Sequence, residues 1–157
     1  GFSKGGKSAD TQLARKLFRE SLFEITFRMQ VKNVPIFIEA TNRYESYVAN
    51  TLEETADLVA SVGNPLLKLL PDTFHMNIEE VNMFKALEKN INYIDSIHIS
   101  DNNRFFPGSG AIDFAKLIEF LKKINYRGGL AIEGNIKTSF IADIQKSMAY
   151  LIPLISK

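Results

Sequence analysis

Cysteine is absent from the chain, and histidine occurs only twice, as His75 and His98. The first absence removes disulfide frameworks, thiolate zinc sites and thiol nucleophiles from consideration. Charge of one sign is lacking too: 19 basic side chains stand against 18 acidic ones, and a net charge of +1 supplies no strong field for nucleic acid or an anionic membrane. No signal-like or membrane-length apolar run occurs, so the expectation is a soluble cytoplasmic protein with neither nucleic acid nor membrane as partner. Glycine is missing where a nucleotide-binding fold needs it. The segment after the first expected strand, Glu39-Ala-Thr-Asn-Arg-Tyr-Glu45, contains none, so no glycine-rich phosphate loop forms there. The chain starts at glycine rather than an initiator methionine, and a preceding segment is expected.

What is present is a regular alternation of helical and extended periods, with 45% hydrophobic residues over 157 positions, enough for one domain spanning 1–157. Leu13, Leu17, Leu22, Ile25 and Met29 recur at helical spacing and predict an amphipathic helix over 9–31. Val34 to Glu39 reads as a short buried strand. Thr51 with Glu54 forms a capping box that opens a helix ending at Gly63, and Leu66 to Leu70 is the next strand. Asn77 with Glu80 repeats the capping pattern and opens a helix to about Lys89, followed by a strand from Ile94 to Ser100. A loop rich in Asn, Pro and Gly leads to a helix from about Phe114 to Ile124, a strand from Leu130 to Glu133, and a closing helix from Ser139 to Ile152 that meets Pro153. The order αβαβαβαβα implies parallel strands joined by crossovers. Four strands are half of an eight-stranded barrel, which takes about 250 residues.

Each expected strand ends on a side chain able to bind a metal: Glu39, Asp72, His98 and Glu133. Taken singly, such a carboxylate reads as a solvated loop residue or a helix cap, and His98 as a core histidine. Together they fall where a barrel of strands and helices builds its active site, at the carboxyl ends of successive strands. Three carboxylates and one imidazole make a hard, oxygen-rich site that suits manganese or magnesium better than zinc, with room for two further oxygens in an octahedral shell.

Three strings carry more. Ile38-Glu39-Ala40-Thr41-Asn42-Arg43-Tyr44-Glu45, Asp72-Thr73-Phe74-His75-Met76-Asn77-Ile78-Glu79-Glu80, and His98-Ile99-Ser100-Asp101-Asn102-Asn103-Arg104 with Pro107-Gly108-Ser109-Gly110-Ala111-Ile112-Asp113-Phe114 closely resemble the D-tagatose 3-epimerase and D-psicose 3-epimerase family. That family belongs to the xylose-isomerase-like sugar isomerases and epimerases. The resemblance implies an α/β fold, the C-terminal half of a TIM (β/α)8 barrel (about strands 5–8), with the first helix as the crossover that follows strand four. It implies that Glu39, Asp72, His98 and Glu133 ligate a divalent ion, usually Mn2+ with Mg2+ or Co2+ as substitutes. It also implies that Glu39 and Glu133 are the catalytic pair, one removing the C3 proton of a ketose and the other returning a proton from the far face through a metal-stabilised enediolate. Glu45, His75 and Arg104 match the family's substrate contacts at the O1 and O2 end of the sugar. Arg104 could instead pair with Asp101. A homo-oligomer, or pairing with the half-barrel absent from this chain, is expected.

The chain departs from the family pattern at Ala40, where proline is common, at Ala111, where histidine is common, and at Pro71, where an apolar strand residue is usual and proline could shift Asp72. Hydroxypyruvate isomerisation and inosose dehydration use the same ligands and stay open as alternatives. An endonuclease IV-like phosphodiesterase is disfavoured, since it needs several zinc ions and more than two histidines. A non-catalytic half-barrel is favoured by length alone.

Overall fold

The computed structural model describes residues 10–30 and 32–156. The helix expected over 9–31 is α1, Thr11–Gln30; positions 9 and 31 lie outside the described residues. Its buried stripe is not the expected one. Phe18, Leu22 and Thr26, four residues apart, face inward, whereas Leu13, Leu17 and Ile25 are exposed. The reason is the neighbour: α1 docks through Phe18 and Leu22 onto Leu58, Val59 and Val62 of α2, Leu52–Val62, and only that narrow stripe is covered.

Strand β1 runs Ile36–Glu39, two residues later than expected. Pro35 has no amide hydrogen, so the first ladder bond is the Ile36 N–H to the Leu66 carbonyl, at 2.7 Å. The Thr51 hydroxyl accepts the Glu54 N–H at the start of α2, and Gly63 closes that helix at φ 68°, a left-handed conformation costing glycine little. Strand β2 is Leu67–Leu70.

The single helix expected from Asn77 to Lys89 is two, α3 Thr73–Glu79 and α4 Met83–Asn90. Asn77 lies inside α3 and caps nothing. Stronger caps flank it, because Asp72 accepts the Phe74 N–H and Asn82 the Lys85 N–H, and Glu80 between them is extended. The Glu80 carboxylate instead accepts the Leu52 N–H at 2.7 Å, tying this break to the start of α2.

Strand β3, Ser96–Ile99, precedes a long loop, and Asp113 caps α5, Phe114–Lys123. Strand β4 is Gly129–Ile132. Helix α6, Phe140–Ile155, is capped by Ser139 and runs through Pro153 rather than ending at it. One missing amide two residues from the end costs a single helical bond there, and the Ser156 N–H still reaches the Ile152 carbonyl at 3.0 Å.

β1 pairs in parallel with β2, and β3 with β4. Parallel bridges at Leu69↔Ile94 and Asp72↔His98 join the two pairs, so the strands lie side by side in chain order. This is the arc of half a barrel, with helices over its outer face. Leu52, Leu69, Leu87, Ile97 and Phe114 are fully buried between the strands and α2, α4, α5 and α6. No helix among the described residues is long and apolar enough to cross a membrane.

Candidate metal centre

The ladder sets the four expected ligands level. Glu39, the last residue of β1, pairs with Leu70. Asp72 bridges to His98, whose N–H donates to the Pro71 carbonyl at 2.8 Å. The Glu133 N–H reaches the Ile99 carbonyl at 3.2 Å. Pro71 therefore continues the ladder through its carbonyl, and Asp72 is not displaced. Ala40, where proline is common, keeps an N–H that donates to the Leu70 carbonyl at 3.2 Å.

One ligand atom from each of Glu39, Asp72, His98 and Glu133 lies within 4.8 Å of the others. Donors about 2.0–2.6 Å from a common ion are separated by roughly this much across the shell. His98 Nδ1 is 3.2 Å from Glu39 Oε1 and 2.5 Å from Glu133 Oε2. Glu133 Oε2 is buried and makes no hydrogen bond, with only ion-pair approaches from His98 and Arg104. A buried carboxylate oxygen without a partner is costly, and a cation in the cluster would satisfy it. The residues present thus fit a divalent ion.

The charges are divided unevenly. Burial pushes the Glu39 carboxyl up, but the His98 hydrogen bond and the fields of His75, His98 and Arg104 outweigh it and hold the group below the usual range. Burial and the nearby Glu39 raise Glu133. The hydrogen bond to Glu39 raises His98 despite burial.

Arg104 is placed against the cluster. Its Nη1 donates to Asp72 Oδ2 at 2.5 Å and to Ser100 Oγ at 3.1 Å, and Nη2 lies 3.3 Å from Glu133 Oε2. Its guanidinium stacks 5.0 Å from the Phe74 ring centroid. It does not pair through its side chain with Asp101, which is fully buried and occupied: Oδ1 accepts the Asn102 and Ile112 amides, and Oδ2 those of Gly108 and Ser109. Arg104 sits at φ 63°, an uncommon conformation for a side-chain-bearing residue, held by its N–H to the Asp101 carbonyl and its carbonyl to the Asn135 N–H.

His75 and Glu45 form a second group, with Nδ1 and Oε1 4.0 Å apart. Asn42 stands between them, donating from Nδ2 to both. Neither Asn42 nor Asp101 was singled out by sequence as functional, because Asn in a loop and Asp after a strand both read as turn residues. A separate cavity of about 390 Å³ between α1 and β1 is lined by Phe18, Leu22, Ile25 and Phe37 and meets the cluster only at Glu39. It is largely apolar, while the ionisable groups converge elsewhere, at the four strand ends.

The family model described as a xylose isomerase-like TIM barrel matches residues 1–154. Among curated relatives, the D-psicose 3-epimerase of Enterocloster bolteae is 37% identical over 124 residues, covering 79% of this chain and 41% of that protein. The 3-dehydro-D-guloside 4-epimerase of Escherichia coli is 33% identical over 138 residues, covering 87% and 53%. The apo crystal structure of a 3-keto-D-glucoside 4-epimerase from E. coli superposes with a TM-score of 0.84 at 30% identity, over 94% of this chain and 56% of that one. The chain spans about half the length of the relatives it matches.

Proposed function

The chain belongs to the xylose isomerase-like TIM barrel family, and on that premise we propose that residues 1–157 form the C-terminal half-barrel of a metal-dependent epimerase that inverts C3 of a ketose. The observation that carries this is the convergence of Glu39, Asp72, His98 and Glu133 within 4.8 Å at four adjacent strand ends. A divalent cation there, Mn2+ ahead of Mg2+ or Co2+, would polarise the substrate carbonyl and offset the negative charge that develops on its oxygen. Glu39 and Glu133, at the ends of the outermost two of the four strands, would act on opposite faces of the sugar. One of the two accepts the proton from C3, and the other returns a proton to the far face. Arg104 brings fixed positive charge to the same oxygens. Glu45 and His75 hold the hydroxyls at the O1 and O2 end of the substrate.

A second reading is favoured by the 138-residue match to the 4-epimerase: inversion at C4 of a 3-keto sugar derivative. The chemistry is shared, because in both cases the proton lost sits on a carbon next to a carbonyl. A phosphodiesterase is disfavoured by the single histidine in the ligand cluster.

The full-length protein, supplied with manganese in deuterated water, decides among these. Deuterium at C3 of a ketohexose supports the first reading, and deuterium at C4 of a 3-keto glycoside the second. Exchange confined to C1 of a ketose marks an aldose–ketose isomerase and refutes both.

A further inference from the structure

Asn42 lies three residues beyond Glu39, 2% exposed, and all its side-chain polar atoms are committed. Oδ1 accepts the Tyr44 N–H at 2.9 Å, which fixes the amide orientation and leaves Nδ2 as the donor. Nδ2 faces two acceptors, His75 Nδ1 at 2.8 Å and Glu45 Oε1 at 3.1 Å, one for each of its hydrogens. The backbone N–H of Asn42 also donates to His75 Nδ1, at 3.3 Å. Two donors from one residue onto one ring nitrogen require that nitrogen to carry no proton. The ring proton then sits on Nε2, and the ring is neutral. Burial favours the same state, against the opposing fields of Asp72, Glu39 and Glu45 and with that of Arg104.

We infer that Asn42 is a positioning residue that fixes the hydrogen-bond polarity of the His75–Glu45 pair, leaving the ring N–H at Nε2 as a donor and the Glu45 carboxylate as an acceptor for the hydroxyl groups of a neutral polyol. Hydroxyl groups both donate and accept, so a polyol can use a donor and an acceptor alike. A phosphate or carboxylate only accepts, and it would meet the Glu45 charge as a repulsion. The pair thereby selects a substrate uncharged at this end. The identity of the ligand rests on the sugar reading of the site, whereas the polarity is a property of the ligand-free chain and is measured without it.

The test uses the full-length, metal-free protein with 15N-labelled histidine, the His75 ring signals being assigned by their loss in His75→Gln. A neutral ring protonated at Nε2 is expected. Asn42→Asp keeps an acceptor for the Tyr44 N–H but replaces the donor with a second acceptor, and it should draw the proton to Nδ1. A wild-type ring protonated at Nδ1, or a tautomer unmoved by Asn42→Asp, overturns the proposal whether or not the enzyme turns over a sugar. Should Asn42→Asp fail to fold, Asn42→Ser retains a turn-forming side chain without the amide donor. It should raise KM for the sugar about tenfold with manganese affinity unchanged. An unchanged KM, or parallel loss of metal binding and thermal stability, makes Asn42 merely structural and overturns the proposal. A wild-type protein inert toward ketoses defeats the sugar reading instead, and the tautomer result then stands alone.

Discussion

The protonation of single residues links the ligand cluster to pH. Glu133 and His98 both hold their protons above the ordinary range in the ion-free chain, and a ligand binds metal only after losing its proton. Ion uptake should therefore release protons at low pH, and affinity should weaken as pH falls through the range where these two groups protonate. Calorimetric titration of manganese in buffers of different ionisation enthalpy measures the release; zero protons at neutral pH would show that these groups are already deprotonated. Glu133→Gln should keep the fold and lower turnover by about 10²–10⁴, the usual worth of a positioned acid or base. Near-full turnover would exclude Glu133 from proton transfer. Arg104→Ala should act differently, since its Nη1 is bonded to the fully buried Asp72: it leaves that carboxylate short of a partner, at a cost of about 1–3 kcal/mol.

At the scale of elements, Asp72 is both a proposed ligand and the cap of α3, and the two roles separate by substitution. Asp72→Asn keeps an oxygen for the Phe74 N–H and should spare α3 while weakening ion binding. Asp72→Ala should also cost about 1 kcal/mol of stability through the lost cap. Equal melting temperatures for the two variants would show that the cap contributes nothing. In the loop after β3, a Cβ on Gly110 would fall 2.3 Å from Asn102 Oδ1 and 2.4 Å from Asp101 Oδ1. Gly110→Ala should therefore displace the loop that holds Arg104 and destabilise the protein by about 1–3 kcal/mol, read by thermal melting. The helix–strand alternation and the four strand-end groups were legible because they follow period and spacing. The split between α3 and α4 was not, because Asp72 and Asn82 compete as caps with Asn77, and only packing shows which wins. The buried stripe of α1 was equally hidden. Its sequence offers more apolar positions than one neighbour covers, so the choice of Phe18, Leu22 and Thr26 is made by α2.

For the whole molecule, the decisive surfaces are the two ends of the strand array. Among the described residues, β1 and β4 each have one strand neighbour, so one edge of each carries ladder groups open to a further strand. Apolar side chains are exposed on the helices that precede β1 and follow β4. Phe23 and Phe27 of α1, the helix before β1, are 60% and 68% exposed, and Phe140 and Ile141 of α6, the helix after β4, are 55% and 61% exposed. Surface of this kind is normally covered. A barrel has no edge, and closing one with further strands would pair the ladder groups and cover the apolar side chains at once. The 157-residue chain by itself should therefore self-associate or bind apolar dyes, and co-expression with a complementary half-barrel should suppress both. Analytical ultracentrifugation supplies the check. A compact 17.7 kDa monomer that unfolds cooperatively, binds no dye and epimerises a ketose with manganese would mean that four strands suffice for both fold and chemistry.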